Sequence, residues 1–264
     1  MHHSRYEYTK AVIDANIPCL LIGGAGTGKT TTAIQVAEAL GLKMHSITGT
    51  RQTSVNNLLG FVNVNGEYIP SQLRDAFEHG GVFILEEQNN MDPNTLICLN
   101  TMENGWLSFP DKIVTRHKDF RFVATSNPND NVYSARSALD FSSEDRLLKI
   151  TFIPDPDLEL YLTSATTVTL METARSFLKA QGSSIQATMR DAIRIEKLSS
   201  LGIIDNPVNE VLFHSDESLG ELFSKKSEEI LAKAKAAEAK AEEDKKTQHE
   251  MNTFSSFSKK VLGD

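Results

Sequence analysis

Short apolar runs recur through the first part of the chain, and amphipathic stretches separate them. Continuous apolar runs are typical of strands buried on both faces of a parallel sheet, and the stretches between them have helical spacing. The pattern predicts an α/β nucleotide-binding domain over residues 1–153, beginning with a helix within Met1–Asn16 that packs through Tyr8, Val12 and Ile13. The predicted strands are Cys19–Ile22, Leu42–Thr48, Val82–Leu85, Phe120–Thr125 and Leu147–Phe152.

Two hairpins are predicted to interrupt this alternation. An Asn-Gly pair flanked by alternating residues within Phe61–Ile69 is the strongest short-range signal for a hairpin, and it falls between two helical segments. A Pro-Asp turn within Trp106–Val114 predicts a second hairpin. A surface hairpin alone indicates no function, so the role of both depends on where they lie.

The chain changes character after Pro154 and Pro156, which mark a boundary. Leu158–Gln181 and Thr188–Leu201 have helical periodicity without strand signals, so residues 154–214 are predicted to form a small all-helical lid domain. Residues 215–264 become rich in Ala, Lys and Glu, which is typical of a solvated helix or a partly disordered tail.

The segment from 23 to 31 reads GGAGTGKTT and contains the spacing G-x-x-x-x-G-K-[ST]. Its glycines let backbone N–H groups point at phosphate oxygens, Lys29 would reach the β- and γ-phosphates, and the Thr30 hydroxyl would ligate Mg²⁺. A strand precedes the loop and a helix follows it, so the helix N-terminus adds partial positive charge. The predicted phosphate-binding residues are Gly23, Gly24, Ala25, Gly26, Thr27, Gly28, Lys29, Thr30 and Thr31.

Two acids, Glu86 and Glu87, follow the apolar run Val82–Leu85, and Asn127 follows another predicted strand. In an open α/β sheet the carboxyl ends of the strands are where ligands bind. Glu86 would then act on the Mg²⁺ shell, Glu87 would deprotonate the attacking water, and Asn127 would hold that water or the γ-phosphate. The alternatives are an acidic pair beginning a solvated loop and an ordinary Asn-Pro turn.

Composition limits the remaining possibilities. The chain has 264 residues, a net charge of −8, two cysteines and seven histidines without ligand spacing. No apolar run approaches the roughly 18 to 20 residues that span a bilayer, and the N-terminus lacks an apolar signal segment. We therefore expect a cytoplasmic protein without a membrane partner, with Cys19 and Cys98 as core thiols. The acidic balance argues against a protein that coats nucleic acid, although a local basic surface would not show in the total.

With these segments placed, the chain resembles the AAA+ ATPases, and more narrowly the MoxR and CobS group, over residues 16–201. GGAGTGKT resembles the Walker A motif, GGVFILEEQNNMDPNTL the Walker B strand and its helix, and VATSNPND the sensor 1 segment. YSARSALDFSSEDRLLKI resembles the arginine-finger stretch, where Arg146 matches the finger and Arg136 is a second trans-acting candidate. TMRDAI resembles the start of sensor 2, which places Arg190 at the nucleotide; exposed solvation of Arg190 is the alternative.

The resemblance implies a five-stranded parallel P-loop sheet between helices, followed by a helical lid. It also implies a homo-oligomeric ring, commonly a hexamer, that binds ATP and Mg²⁺ between subunits. The work implied is remodelling or maturation of a protein client, often one that carries a von Willebrand A domain. Two positions depart from the family pattern: Glu86 stands in place of aspartate, and Leu147 in place of phenylalanine.

Three function hypotheses follow from these predictions. The first is an ATP-hydrolysing ring that acts on a protein. The second hypothesis is an ATPase that acts on DNA. The first hairpin contains no Lys or Arg, which disfavours contact with phosphates. The second hairpin contains Lys112, Arg116 and Lys118, so binding of DNA remains an alternative. The third is a slow or non-hydrolysing ATP-gated assembly factor, which the glutamate at position 86 would explain. A small-molecule kinase fits poorly, because the arginine pair and the helical domain suit a ring better.

Overall fold

The structure is a computed structural model that describes residues 1–128, 146–202, 204, 206–228 and 232. The chain divides into two units, Met1–Leu158 and Glu159–Asp264. In chain order, the strands are β1 (Cys19–Gly23), β2 (Met44–Thr48), β3 (Phe61–Val62), β4 (Tyr68–Ile69), β5 (Gly81–Glu86), β6 (Trp106–Ser108), β7 (Ile113–Thr115), β8 (Phe120–Ser126) and β9 (Leu148–Phe152). The helices are α1 (Tyr6–Asp14), α2 (Lys29–Ala39), α3 (Val55–Leu59), α4 (Gln72–His79), α5 (Pro93–Leu96), α6 (Pro156–Leu162), α7 (Ala165–Ala180), α8 (Met189–Leu201) and α9 (Pro207–Leu212), with 3₁₀ turns at Gln88–Asn90 and Ile97–Asn104.

The first unit is built on a five-stranded sheet in the order β2-β5-β8-β1-β9, with all its strand pairs parallel. This confirms the predicted fold class. Strand β5 shows why its sequence is continuously apolar: Phe83 and Leu85 belong to the core on one face, whereas Val82 and Ile84 belong to the core on the other. Because helices cover both faces, neither face needs polar positions.

Both predicted hairpins are present. β3 pairs antiparallel with β4 between helices α3 and α4, and β6 pairs antiparallel with β7 before β8. The first hairpin turns at Gly66, whose φ of 79° lies in the left-handed region that glycine adopts without strain. Both hairpins pack in the core cluster that contains Phe77 of α4, through Tyr68 in the first and through Leu107 and Val114 in the second.

Two local expectations were wrong. Tyr8 is exposed, because the buried face of α1 runs through Tyr6, Thr9, Val12 and Ile13 at spacings of three and four. The Walker B helix predicted within GGVFILEEQNNMDPNTL does begin after a cap at Asp92, but it is one α-turn followed by 3₁₀ turns rather than a regular α-helix. The buried residues of that segment include Leu96, Leu99 and Met102, and a uniform spacing of three matches the 3.0 residues per turn of a 3₁₀ helix.

The second unit is helical where it is described, with α7, α8 and α9 around a core that includes Met171, Ala192 and Phe213. The helical periodicity of Leu158–Gln181 corresponds to two helices, because the chain breaks between α6 and α7. Ser164 begins the second of these helices, and its hydroxyl accepts a hydrogen bond from the Thr167 N–H at 3.3 Å. Helical turns also span 217–228. Among the described helices, none has the length and apolar character needed to cross a bilayer.

Candidate nucleotide-binding site

The phosphate loop lies between β1 and α2, as the sequence predicts. Gly28 has a φ of 86° at the start of α2, a left-handed conformation that other residues adopt only with strain. Gly23 is restricted by space, since an added Cβ would lie 2.4 Å from the carbonyl oxygen of Phe152. The glycines thus allow the tight turn and the close approach of β9.

Lys29 is buried at the base of the loop, with 8% of its surface exposed. Its ammonium group donates to the carbonyl oxygens of Gly23 at 2.6 Å and Gly24 at 2.8 Å, and to Oδ1 of Asn127 at 3.2 Å. Oxygen acceptors hold the ammonium at the phosphate loop, where phosphate oxygens would be equivalent acceptors.

Asn127 comes from the end of β8, the strand that pairs with β1. Its half-buried side chain meets Lys29 although the two residues are 98 positions apart in the chain. The structure therefore brings together the phosphate loop and the amide that the sequence places at the same edge of the sheet.

Thr30 and Glu86 form the second pair across the sheet. The Thr30 hydroxyl donates to Oε2 of Glu86 at 3.2 Å. A hydroxyl and a carboxylate side by side are the oxygen ligands that suit Mg²⁺, so the residues present fit this ion. Although Glu86 is one methylene longer than the aspartate of the family pattern, its carboxylate reaches the threonine of the loop.

Glu87 begins the 3₁₀ turn after β5 with φ 51° and ψ 41°, in the left-handed region. Its side chain is exposed, and its backbone N–H donates to Oγ1 of Thr125 at 3.1 Å. Oε2 of Glu87 accepts a hydrogen bond from Nδ2 of Asn90 at 2.6 Å. No sequence pattern predicts this contact, because it depends on an unusual backbone conformation at a non-glycine residue.

The remaining loop residues differ in exposure. Thr27 is buried, and its hydroxyl donates to the carbonyl oxygen of Gly24 at 2.9 Å. Ala25 and Thr31 are exposed, whereas Gly24 and Gly26 are half-buried. The exposed members face solvent, where a ligand could reach them.

His3 also lies at the phosphate loop, although no sequence pattern predicts a role for it there. This buried ring has its Cδ2 atom 3.6 Å from the position of a Cβ built on Gly28, and its Nε2 lies 3.1 Å from the carbonyl oxygen of Ile153. Asp155, which accepts a hydrogen bond from the Ser4 N–H at 2.6 Å, anchors the same segment. Burial opposes ionisation of Asp155, but this hydrogen bond and one from Leu158 hold its pKa below the ordinary value.

Arg146 lies at the edge of the sheet where the strands begin, opposite the edge that carries the phosphate loop. It precedes β9, whose first residue Leu148 pairs with Cys19 at the beginning of β1, whereas the phosphate loop follows the end of β1. The length of β1 corresponds to roughly 13 Å. Arg146 contacts Oε2 of Glu103 at 3.5 Å and the carbonyl oxygen of Asn100 at 3.4 Å.

Of the other two predicted arginines, Arg136 lies outside the described residues. Arg190 is exposed in the first turn of α8, which begins at the Thr188 cap. In that turn Oδ2 of Asp191 accepts hydrogen bonds from the N–H and the hydroxyl of Thr188. This acid lies at the positive end of the helix dipole, and its Oδ1 also pairs with Arg194 at 3.1 Å.

The comparisons with known proteins agree with this geometry. Residues 18–146 match the family "AAA domain (dynein-related subfamily)". The gas vesicle ATPase GvpN of Ancylobacter aquaticus is 28% identical in an alignment of 262 positions, and the alignment covers 84% of this chain and 72% of that protein. An uncharacterized protein of Staphylococcus aureus (strain USA300) is 30% identical over 103 residues, 36% of this chain and 39% of the relative. The chain thus spans much less than half of the staphylococcal relative.

Solved structures show a similar fold. NtrX from Brucella abortus has a TM-score of 0.56 at 14% identity, covering 88% of this chain and 61% of that chain. NtrX in complex with ADP has a TM-score of 0.55 at 15% identity, covering 87% and 59%. At these identities the likeness shows the fold alone, and the chain spans about three fifths of the NtrX chains.

Proposed function

We propose that residues 18–146, which match the AAA domain (dynein-related subfamily), form such a domain, and that the protein is a Mg-ATP-hydrolysing ring ATPase of the MoxR/CobS type. Its proposed work is to remodel or mature a protein client. The observation that supports hydrolysis is a pair of contacts, between Lys29 and Asn127 and between Thr30 and Glu86. These residues come from three separate segments of the chain and lie at one edge of the sheet.

Binding of ATP is assigned to the phosphate loop. Lys29 would exchange carbonyl oxygens for phosphate oxygens, and the backbone N–H groups at the start of α2 would point at the same anion. Thr30 and Glu86 would hold Mg²⁺, which when bound supplies charge that neutralises the phosphates. The 3.2 Å contact between Thr30 and Glu86 supports an active site rather than a lost one.

Hydrolysis is assigned to Glu87 and Asn127. Glu87 lies at the end of β5 with an exposed carboxylate, which suits a base that takes a proton from water. Asn127, already in contact with Lys29, would orient the water or the γ-phosphate from the neighbouring strand. Both residues act on the ligand from the carboxyl edge of the sheet.

Arg146 is proposed to act on the nucleotide of the adjacent subunit. It lies at the amino edge of the sheet, so the phosphate loop of its own chain is at the other end of β1. A ring, which we propose to be a hexamer, would place this edge against the loop of a neighbour. An arginine supplied in trans is worth about three to five decades in turnover in P-loop enzymes. Arg136 is a second candidate for the same role.

A protein client is favoured over DNA by the surface of the hairpins. The first hairpin exposes Phe61, Val62 and Val64 and contains no Lys or Arg. In the second hairpin, the ammonium group of Lys112 lies 2.7 Å from Oε1 of Glu78, so part of its charge is neutralised within the chain. The exposed apolar residues of the first hairpin suit contact with polypeptide better than contact with phosphates. Binding of a von Willebrand A domain is part of this proposal.

A mixing experiment tests the ATPase mechanism. Glu87→Gln should bind ATP and hydrolyse at less than about 1% of the wild-type rate, because the amide cannot accept the proton. Arg146→Ala should also be strongly impaired. When the two variants are mixed before ATP is added, activity should recover, because Glu87→Gln subunits donate Arg146 to sites that retain Glu87.

Phosphate release is measured for each variant and for mixtures at several ratios, with nucleotide binding followed by a fluorescent ATP analogue. Lys10→Ala, which removes a half-buried cation of α1, is the matched control for loss of positive charge. Wild-type turnover by Glu87→Gln would refute the assigned base. Mixtures that show only the sum of the separate rates, despite subunit exchange, would refute the trans arginine.

A further inference from the structure

Asn90 makes a contact with the proposed base that the family resemblance does not assign. Its Nδ2 donates to Oε2 of Glu87 at 2.6 Å, and its backbone N–H donates to the carbonyl oxygen of the same residue at 2.9 Å. The two hydrogen bonds close a single turn from Glu87 to Asn90. The side chain of Asn90 is half-buried, whereas that of Glu87 is exposed.

The donor is held rigidly by its neighbours. Gln88, Asn89 and Met91 are 5%, 7% and 5% exposed, so buried side chains flank Asn90 on both sides. Met91 packs against Gly49, where an added Cβ would lie 2.7 Å from its Cγ. The N–H of Gly49 in turn donates to the carbonyl oxygen of Glu86 at 2.7 Å. The amide of Asn90 is therefore fixed relative to the end of β5.

A carboxylate on a long exposed side chain otherwise samples several rotamers, and each unproductive rotamer lowers the fraction of sites ready to react. A donor on one carboxylate oxygen selects one orientation and leaves the other oxygen to accept a proton. The contact is internal to one turn and crosses no boundary between elements, so motion of another element does not break it. This favours positioning over a latch that must open before hydrolysis.

We propose that Asn90 is a positioning residue for hydrolysis, whose side-chain amide holds Oε2 of Glu87 so that Oε1 accepts the proton of the attacking water. The inference rests on the role proposed for Glu87. Asn90 itself touches neither the nucleotide nor the water.

The test compares steady-state ATP hydrolysis of the full-length wild type with that of Asn90→Ala, Asn90→Gln and Asn90→Asp. Asn90→Ala should lower kcat about tenfold, with KM and the Kd for a fluorescent ATP analogue within about twofold, because only orientation of the base is lost. Asn90→Gln, which keeps an amide donor, should recover part of the rate. Asn90→Asp should lose more than the alanine variant, because an ionised carboxylate donates no hydrogen bond and repels Glu87.

The matched control is Asn94→Ala, an exposed asparagine in the following helix, which should leave kcat unchanged. A double-mutant cycle separates positioning from a general structural effect: in a Glu87→Gln background, Asn90→Ala should not reduce the residual rate further. An equal loss in both backgrounds would overturn the proposal, as would a melting temperature that falls for Asn90→Gln as much as for Asn90→Ala.

Failure of the inference can be told apart from failure of the proposed function. If Glu87→Gln is inactive while Asn90→Ala has an unchanged or increased kcat, the positioning role is wrong and the assignment of Glu87 stands. If Glu87→Gln hydrolyses ATP at the wild-type rate, both the base and its positioning residue are wrong.

Discussion

Two buried cations of the first unit, Lys29 and Arg74, have opposite surroundings. Lys29 is 8% exposed and donates to two backbone carbonyls and an amide oxygen. Arg74 is 4% exposed and forms ion pairs of 2.7 Å with both Glu78 and Asp111. One cation is held by groups that a phosphate could replace, and the other is neutralised within the fold.

Arg74 also joins parts of the chain that are distant in sequence. Its guanidinium stacks over the ring of Tyr68 in the first hairpin at 5.1 Å and over Phe109 in the second at 4.7 Å. It projects from α4, so one side chain links this helix to both hairpins. Burial opposes its charge, but hydrogen bonds to Asp111 and Glu78 raise its pKa above the ordinary value. Arg74 is therefore charged whenever the protein is folded.

The difference teaches that burial of a cation does not by itself indicate function. A buried charge with two carboxylate partners contributes to the folded state, and removing it leaves those partners uncompensated. A buried lysine that donates to backbone carbonyl and amide oxygens at a glycine-rich loop can exchange them for the oxygens of an anion that arrives from outside. The same substitution at the two sites should therefore separate binding from stability.

The largest expected effect is on nucleotide affinity in Lys29→Met. Methionine keeps the apolar stem and removes the charge, so the Kd for ATP should rise about 30- to 100-fold, as expected for losing a charge-assisted contact to phosphate. The free energy of unfolding without nucleotide should fall by only about 1 kcal/mol, less than the loss expected at Arg74, because the carbonyl and amide oxygens that lose a donor are uncharged. A fluorescent ATP analogue and urea denaturation measure the two quantities.

Lys43→Ala, at an exposed lysine, controls for general loss of charge. Unchanged ATP affinity in Lys29→Met would show that Lys29 does not bind the phosphates.

Arg74→Met should give the reverse result. Loss of the guanidinium leaves Asp111 without this cation and Glu78 with Lys112 alone, and it removes both aromatic contacts, so the free energy of unfolding should fall by about 3 kcal/mol. The Kd for ATP should stay within about twofold of the wild type at a temperature where the variant is folded. Urea denaturation and the same binding assay test this.

Lys112→Ala removes a more exposed partner of Glu78 and should cost only about 0.5 kcal/mol. Equal losses in Lys112→Ala and Arg74→Met would contradict the central role of Arg74.

The smallest expected effect is a pH dependence that arises at Glu78. Hydrogen bonds from Arg74 and then Lys112 lower the pKa of Glu78 from 4.5 to about 2, and the bond from Arg74 also lowers the pKa of Asp111. Because the folded pKa is depressed, the contribution to stability is complete above pH 4.5 and is lost as the pH falls toward 2. The difference in unfolding free energy between the wild type and Glu78→Gln should therefore shrink between pH 6 and pH 3. A difference that stays constant across this range would show that ionisation of Glu78 does not stabilise the fold.

The sequence by itself determined the features that depend on neighbouring residues. The phosphate loop is one contiguous segment, and its glycine spacing specifies the turn directly. The strand β5 could be recognised because burial on both faces leaves no polar position, and the first hairpin because an Asn-Gly pair prefers its turn. Even the place of Glu86 and Asn127 followed from one rule, that the carboxyl ends of parallel strands share an edge.

Only the tertiary structure decided which side chains meet. The left-handed backbone of Glu87 brings its carboxylate to Asn90, the sheet order sets Arg146 at the edge away from its own loop, and the packing of α4 brings Arg74 to both hairpins. Periodicity reports which face of an element is buried, but it carries no information about the partner on the other side. For the two cations, the sequence predicted the role of Lys29 from its motif, whereas the role of Arg74 depends on residues up to 37 positions away that only the fold brings together.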